Sequence, residues 1–329
     1  MQNVKLSGSS RQITGLLLGL SLTAFALVML GRLVDWRAAL HSMHYLRWPW
    51  LLVAILALLL NNVAKASRWR QLFPVEQLLP AIGDAFGALM AGQLLNFVLP
   101  FRSGDISRAY FMGRHRGNSS AAAAGTIGAE KVLDMMIMGA LFTLVLPYFI
   151  LPAWLESNKN TIWFVSLAAL ALWIGIIAGL PLALTLLARL ARHWPVIARL
   201  IGLLSRLLNG FSSLRHRQRL LPILFWTGIA WAASIGATYA LLASLSLPAS
   251  LSLAILANVI VQGGLSVPVA PAGIAIFEWL AILALSIAGI PTEQGLAYGL
   301  ITHAAVLLFP VIVGIPWLIG RFNTPKNPT

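Results

Sequence analysis

The stretch Asn96-Phe97-Val98-Leu99-Pro100-Phe101-Arg102-Ser103-Gly104-Asp105-Ile106-Ser107-Arg108 follows an apolar segment and sets three charges around a proline and a glycine. Hydrocarbon tolerates a broken backbone or an ionised side chain only where it is buried in protein or lines a wet cavity. A chain that carries this break at membrane depth cannot be a plain stack of uninterrupted spans. The membrane itself follows from composition: 59% of the 329 residues are hydrophobic and 10% charged, far from the range of soluble domains.

The net charge of +14 is spread among apolar spans, which fits lipid headgroups and the positive-inside rule and argues against nucleic acid. With no cysteine, disulfides, thiolate metal sites and cysteine nucleophiles are excluded. The longest non-spanning region, from Arg189 to Leu220, is too short for a soluble catalytic core. No cofactor, metal site or catalytic residue is indicated.

Apolar runs mark the spans. The first, Ile13 to Leu30, is long enough to cross a bilayer and lacks a small-residue cleavage pattern, so it reads as a retained signal anchor. The second, Trp48 to Ala64, closes on Lys65-Ala66-Ser67-Arg68-Trp69-Arg70, where Arg68 and Arg70 read as topological anchors. Residues 79–100 carry Gly83, Asp84, Gly87, Gly92, Gln93 and Asn96, and read as a first re-entrant element. A helix from Ser119 to Ile150 carries Glu130, Lys131 and Asp134 on one side. A fifth apolar run, Ile162 to Leu187, precedes a basic link over 188–220 with seven arginines, the strongest cytoplasmic marker, suited to anionic lipid headgroups.

A sixth span, Leu221 to Leu245, leads to a second re-entrant element over 252–271, which ends in Pro268-Val269-Ala270-Pro271-Ala272-Gly273 and opens toward Glu278. Two last runs, Ile274 to Ile290 and Leu296 to Ile319, complete the chain. His303 in the final run reads as a satisfied polar contact. In both breaks proline precedes glycine and then a charge: Pro100, Gly104, Arg108 in one, Pro271, Gly273, Glu278 in the other. Broken helices in corresponding positions are the mark of inverted-repeat transporters. The expected fold is therefore an all-α polytopic membrane protein, a single transmembrane domain of seven to eight spans plus two re-entrant or broken helices. The N-terminus is expected in the cytoplasm; the side of the C-terminus depends on whether one re-entrant element is a full span.

These residues resemble a known family. Pro100-Phe101-Arg102-Ser103-Gly104-Asp105 with Arg108, then Glu130 and Asp134, then Pro271-Ala272-Gly273 with Glu278, look like the lysylphosphatidylglycerol synthase membrane-region family, also called flippase-like. Arg68-Trp69 fits as well. Lys131 stands where Arg is usual after the Glu, and Ala272 where many members have a second Gly. No soluble aminoacyl-transferring domain follows, so the resemblance implies the translocating half alone.

Two function classes follow. In the first, a lipid translocase of the cytoplasmic membrane, Arg102 and Arg108 take phosphate while Glu130, Asp134 and Glu278 take a cationic headgroup part or a coupling proton, with Gly104, Asp105, Pro271 and Gly273 shaping the cavity. In the second, an intramembrane transferase, paired carboxylates act as acid and base on a phospholipid or polyprenyl-phosphate. The absence of H-E-x-x-H and of a recognised protease pattern favours a transporter over an enzyme. A scaffold with a structural charge network is a third possibility.

Overall fold

The computed structural model describes residues 46–74, 79–98, 103–113, 120–149, 157–190, 216–266 and 275–323, with residues 28, 35, 37–38, 41, 213 and 214. Every regular element among them is helical. In chain order these are α1 (Trp48–Gln71), α2 (Ile82–Val98), α3 (Ser103–Gly113), α4 (Ser120–Val145) with a 3₁₀ turn at Leu146–Tyr148, α5 (Lys159–Leu190), α6 (Arg217–Ser244), α7 (Leu251–Ser266), α8 (Ile276–Ser286), α9 (Thr292–Phe309), a π turn (Pro310–Gly314) and α10 (Ile315–Asn323). The expected all-α polytopic membrane protein is observed. Three helical stretches, Trp48–Gln71, Arg217–Ser244 and Thr292–Arg321, are long and apolar enough to cross a bilayer among the described residues. The run Ile13 to Leu30 and most of the basic link lie outside them.

Helix lengths repeat along the chain. A helix of 24 residues is followed by ones of 17, 11 and 26. Further on, 28 residues are followed by 16, 11 and a 30-residue stretch. At 1.5 Å per residue, 17 and 11 residues rise roughly 25 Å and 16 Å, short of the roughly 30 Å hydrocarbon core. Each short pair flanks one of the two breaks recognised in the sequence.

α1 runs past Ala64 to Gln71, so Arg68 is a helical residue inside the protein rather than a surface anchor. Its C-terminal carbonyls are satisfied by Ser213, whose hydroxyl donates to Leu72 O at 2.8 Å or Phe73 O at 2.9 Å, while Arg219 Nη1 donates to Gln71 Oε1 at 2.9 Å. The turn from α8 to α9 has a physical signature too. Gly289 takes φ 73° and the Ile290 N–H returns to Leu285 O at 3.1 Å, a closure that favours glycine, and Pro291 then starts the next helix.

By their internal contacts the residues fall into two compact units. One comprises residues 1–58, 90–107 and 235–329, the other residues 59–89 and 108–234. Large apolar side chains such as Phe164, Val165, Leu172, Leu221, Leu224 and Phe225 are exposed. Contact with lipid accounts for them in a chain of this hydropathy.

Candidate functional site

In the unit holding residues 59–89 and 108–234, four charged side chains interlock away from water. On α1, Asn61, Ala64 and Arg68 are buried at spacings of three and four residues, which puts them on one face. On α4 the buried face reads Ala123, Thr126, Ile127 and Glu130, with Asp134 one turn further. The alanines keep this face narrow, so that the longer polar side chains reach their partners.

Arg68 is fully buried and grips Asp134 with both terminal nitrogens, Nη1 to Oδ1 at 2.6 Å and Nη2 to Oδ2 at 2.9 Å. Its Nη2 also lies 3.5 Å from Glu130 Oε1. Arg108, buried on α3, donates to Glu130 Oε2 at 2.9 Å and lies 4.2 Å above the Trp69 ring. Trp69 in turn donates Nε1–H to Thr126 Oγ1 at 2.9 Å, and Trp231 Nε1 donates to Asp134 Oδ1 at 3.3 Å. Lys65 and Lys131 act electrostatically on the same carboxylates. Two carboxylates therefore sit among four cationic side chains, an excess of positive charge in a low-dielectric interior.

The other unit carries a different pair. Glu278 on α8 and His303 on α9 meet at 2.7 Å between Oε1 and Nδ1, both buried. The approach is set by Gly295 and Gly299, four residues apart on the face that continues to His303. A Cβ on Gly299 would lie 3.2 Å from Glu278 Cα, and one on Gly295 would lie 3.0 Å from Ile282 Cα. Small residues at this spacing let helix backbones close up, and the next turn delivers the imidazole to the carboxylate. Phe277 stacks on that imidazole with centroids 4.6 Å apart and planes 20° apart, and Phe97 lies against it at 5.5 Å. Phe97 precedes the first break and Glu278 follows the second, so the described flanks of both breaks converge on His303.

The sequence-predicted residues divide accordingly. Arg108, Glu130 and Asp134 are brought together, joined by Arg68; Glu278 belongs to the other unit. Gly104 has a packing role: a Cβ there would collide with the Gly92 carbonyl oxygen, with Asn96 N also 2.7 Å away, so α3 starts tight against α2. Asp105 is half-buried in the first turn of α3. Arg102, Pro271 and Gly273 lie outside the described residues.

Sequence reading missed Arg68, Trp69 and Trp231 as members of the cluster and His303 as the partner of Glu278. For Arg68 the signal was present: apolar spacing with Asn61 and Ala64 on α1. Nothing in the sequence paired Trp231 with Asp134 across 97 positions. Among the described residues no group of three or more His, Cys, Asp or Glu side chains is placed to hold a metal ion.

An all-helical membrane protein with short helix pairs flanking two breaks and a buried arginine–carboxylate cluster is the class defined so far. The family model described as lysylphosphatidylglycerol synthase TM region matches residues 13–314. The chain belongs to this family, which gives it a role connected with membrane lipid. No curated protein and no solved structure gives a significant match.

Proposed function

We propose that this protein is a flippase-like translocase of the cytoplasmic membrane, with its N-terminus in the cytoplasm. A phosphate-bearing lipid headgroup crosses through a polar interior while its acyl chains stay in lipid. The observation that carries the reading is the buried cluster of Arg68, Arg108, Glu130 and Asp134, with Lys65 and Lys131 in electrostatic reach. A self-neutralising structural network would balance its charges, whereas this one holds surplus cation where uncompensated charge is most costly. A phosphate supplies the missing negative charge and accepts two hydrogen bonds from a guanidinium.

In this reading the two arginines exchange their carboxylate partners for phosphate oxygens as the headgroup arrives. Glu130 and Asp134 are then free to accept from an amine on a zwitterionic headgroup. The short helices on either side of each break support a pair of re-entrant elements related by an inverted repeat, because neither member is long enough to cross by itself. Arg102 joins the phosphate-binding set, with Gly104, Asp105, Pro271 and Gly273 shaping the entrance.

The test is movement of a fluorescent phospholipid between leaflets of reconstituted vesicles. Arg108→Ala and Glu278→Gln are each expected to abolish it while the protein remains folded. Wild-type movement by both variants would sink the assignment. A lipid species appearing only in vesicles with protein, seen by mass spectrometry, would instead establish a transferase.

A further inference from the structure

We propose that Glu278 and His303 form a proton-binding dyad, which takes up one proton when sequestered and gives it up when opened to water. The dyad stands on the geometry of its own unit; that its proton drives lipid movement rests on the translocase reading above.

Charge accounting comes first. An ionised Glu278 beside a neutral His303 is a net negative charge inside the protein. Glu278 is the sole titratable side chain of α8, and α7, the π turn and residues 90–98 of α2 contribute none. α9 brings Glu293, Tyr298 and His303, residues 235–244 of α6 bring Tyr239, and α10 brings Arg321, which lies over the Trp317 ring at 5.0 Å. Among the described residues no lysine or arginine pairs with Glu278; its ion-pair partner is His303. A buried, uncompensated carboxylate costs several kcal/mol, and one added proton removes that cost, whether it resides on oxygen or nitrogen.

The surroundings favour the protonated dyad in two further ways. The Oε1–Nδ1 separation of 2.7 Å lets one proton serve both atoms in a charge-assisted hydrogen bond. The imidazole lies against the rings of Phe277 and Phe97, which exclude water and favour a cation over their faces. The outward atoms of the dyad, Glu278 Oε2 and His303 Nε2, are buried and lack a hydrogen-bond partner among the described residues. Buried polar atoms are normally satisfied, so this pair is left ready for an incoming water or headgroup donor.

The backbone on both sides is unusual. Ala275, three residues before Glu278, holds φ 67°, a left-handed conformation that costs a non-glycine residue and clusters at functional sites. Seven residues after His303 the helix widens into the π turn Pro310–Gly314, a local irregularity also common at such sites. Strained entry and widened exit give the two helices places to give way when the dyad opens.

The experiment is carbodiimide labelling of the reconstituted full-length protein, since dicyclohexylcarbodiimide modifies protonated carboxyl groups in apolar surroundings. Peptide mass spectrometry reads Glu278 separately from the other acidic residues. In wild type, labelling at Glu278 is expected to fall at least about fivefold between about pH 6 and about pH 8, and the profile in His303→Gln to move by about one pH unit. Glu278 unlabelled at every pH, or the same profile in both proteins, would overturn the dyad. Should His303→Gln not fold, wild type labelled with ¹⁵N-histidine serves: an imidazole resonance must titrate in step with Glu278 labelling, and its failure to do so overturns the proposal. Coupling is read separately, as acceleration of fluorescent phospholipid movement by an imposed pH gradient in wild type. If wild type moves no phospholipid, the translocase reading falls while the labelling result stands on its own.

Discussion

Removing the carboxylate of Glu130 is the most informative perturbation of the cluster. Its side chain is 4% exposed and serves two guanidinium groups, Arg108 at 2.9 Å and Arg68 at 3.5 Å. Breaking a buried pair costs about 3–5 kcal/mol because the surviving charge stays buried. Arg68 keeps its two-pronged hold on Asp134, so the loss falls mainly on Arg108. The Trp69 ring 4.2 Å beneath it returns about 0.5–2 kcal/mol. Glu130→Gln should therefore destabilise the fold by about 2–4 kcal/mol. Arg108→Met with Glu130→Met leaves no orphaned charge, and its destabilisation should fall short of the summed single changes by about 2 kcal/mol. The assay is reversible unfolding in bicelles, with phospholipid movement measured on the same preparations. Single and double changes that add to within about 0.5 kcal/mol would refute a direct Arg108–Glu130 interaction, and a folded double variant that still transports would return the cluster to a structural role.

Other changes test the packing that positions these groups. Gly104→Ala has to move α3 off the Gly92 carbonyl, so it should lower thermal stability by several degrees and expression with it, whereas Ser107→Ala, which loses a single local bond to Ser103 O, should change either by little. Gly314→Ala meets the Met90 carbonyl carbon at 3.0 Å and Ala91 N at 3.1 Å and should destabilise by about 1–3 kcal/mol in the same unfolding assay. Trp69→Phe keeps a ring under Arg108 but loses the donor to Thr126, so a cost of about 1 kcal/mol is expected, with Trp69→Ala costing more.

The sequence made the helical class, the short elements and both breaks legible because hydrophobic runs, glycine and proline act locally. It also made Glu130 and Asp134 legible as a pair, four residues apart on one helix. What it left hidden depends on contacts between elements. Arg68 closes an apolar span, and a basic residue there is ordinarily an anchor; only the continuation of α1 to Gln71 turns it inward to Asp134. His303 looked isolated because Glu278 lies 25 positions earlier. The GxxxG spacing of Gly295 and Gly299, which leads to His303, was visible in the sequence, but its closing partner was not.

The matching helix lengths bear on why the two units carry opposite electrostatic character. In the first set, the 11-residue helix presents Arg108 to Glu130 on the long helix that follows; in the second, the 11-residue helix presents Glu278 to His303 on the long helix that follows. The same topological position thus carries a cation in one copy and an anion in the other, each answered from the next helix. A duplicated scaffold needs only this exchange to hold two chemistries, an arginine-rich site suited to phosphate and a carboxylate–imidazole pair suited to a proton. The arginine pair keeps its charge at any physiological pH, whereas the imidazole pair changes charge with one proton. Substrate binding and proton binding would then be separate, equivalent stations on the two halves of one repeat, and a variant that disables one should leave ligand binding at the other measurable.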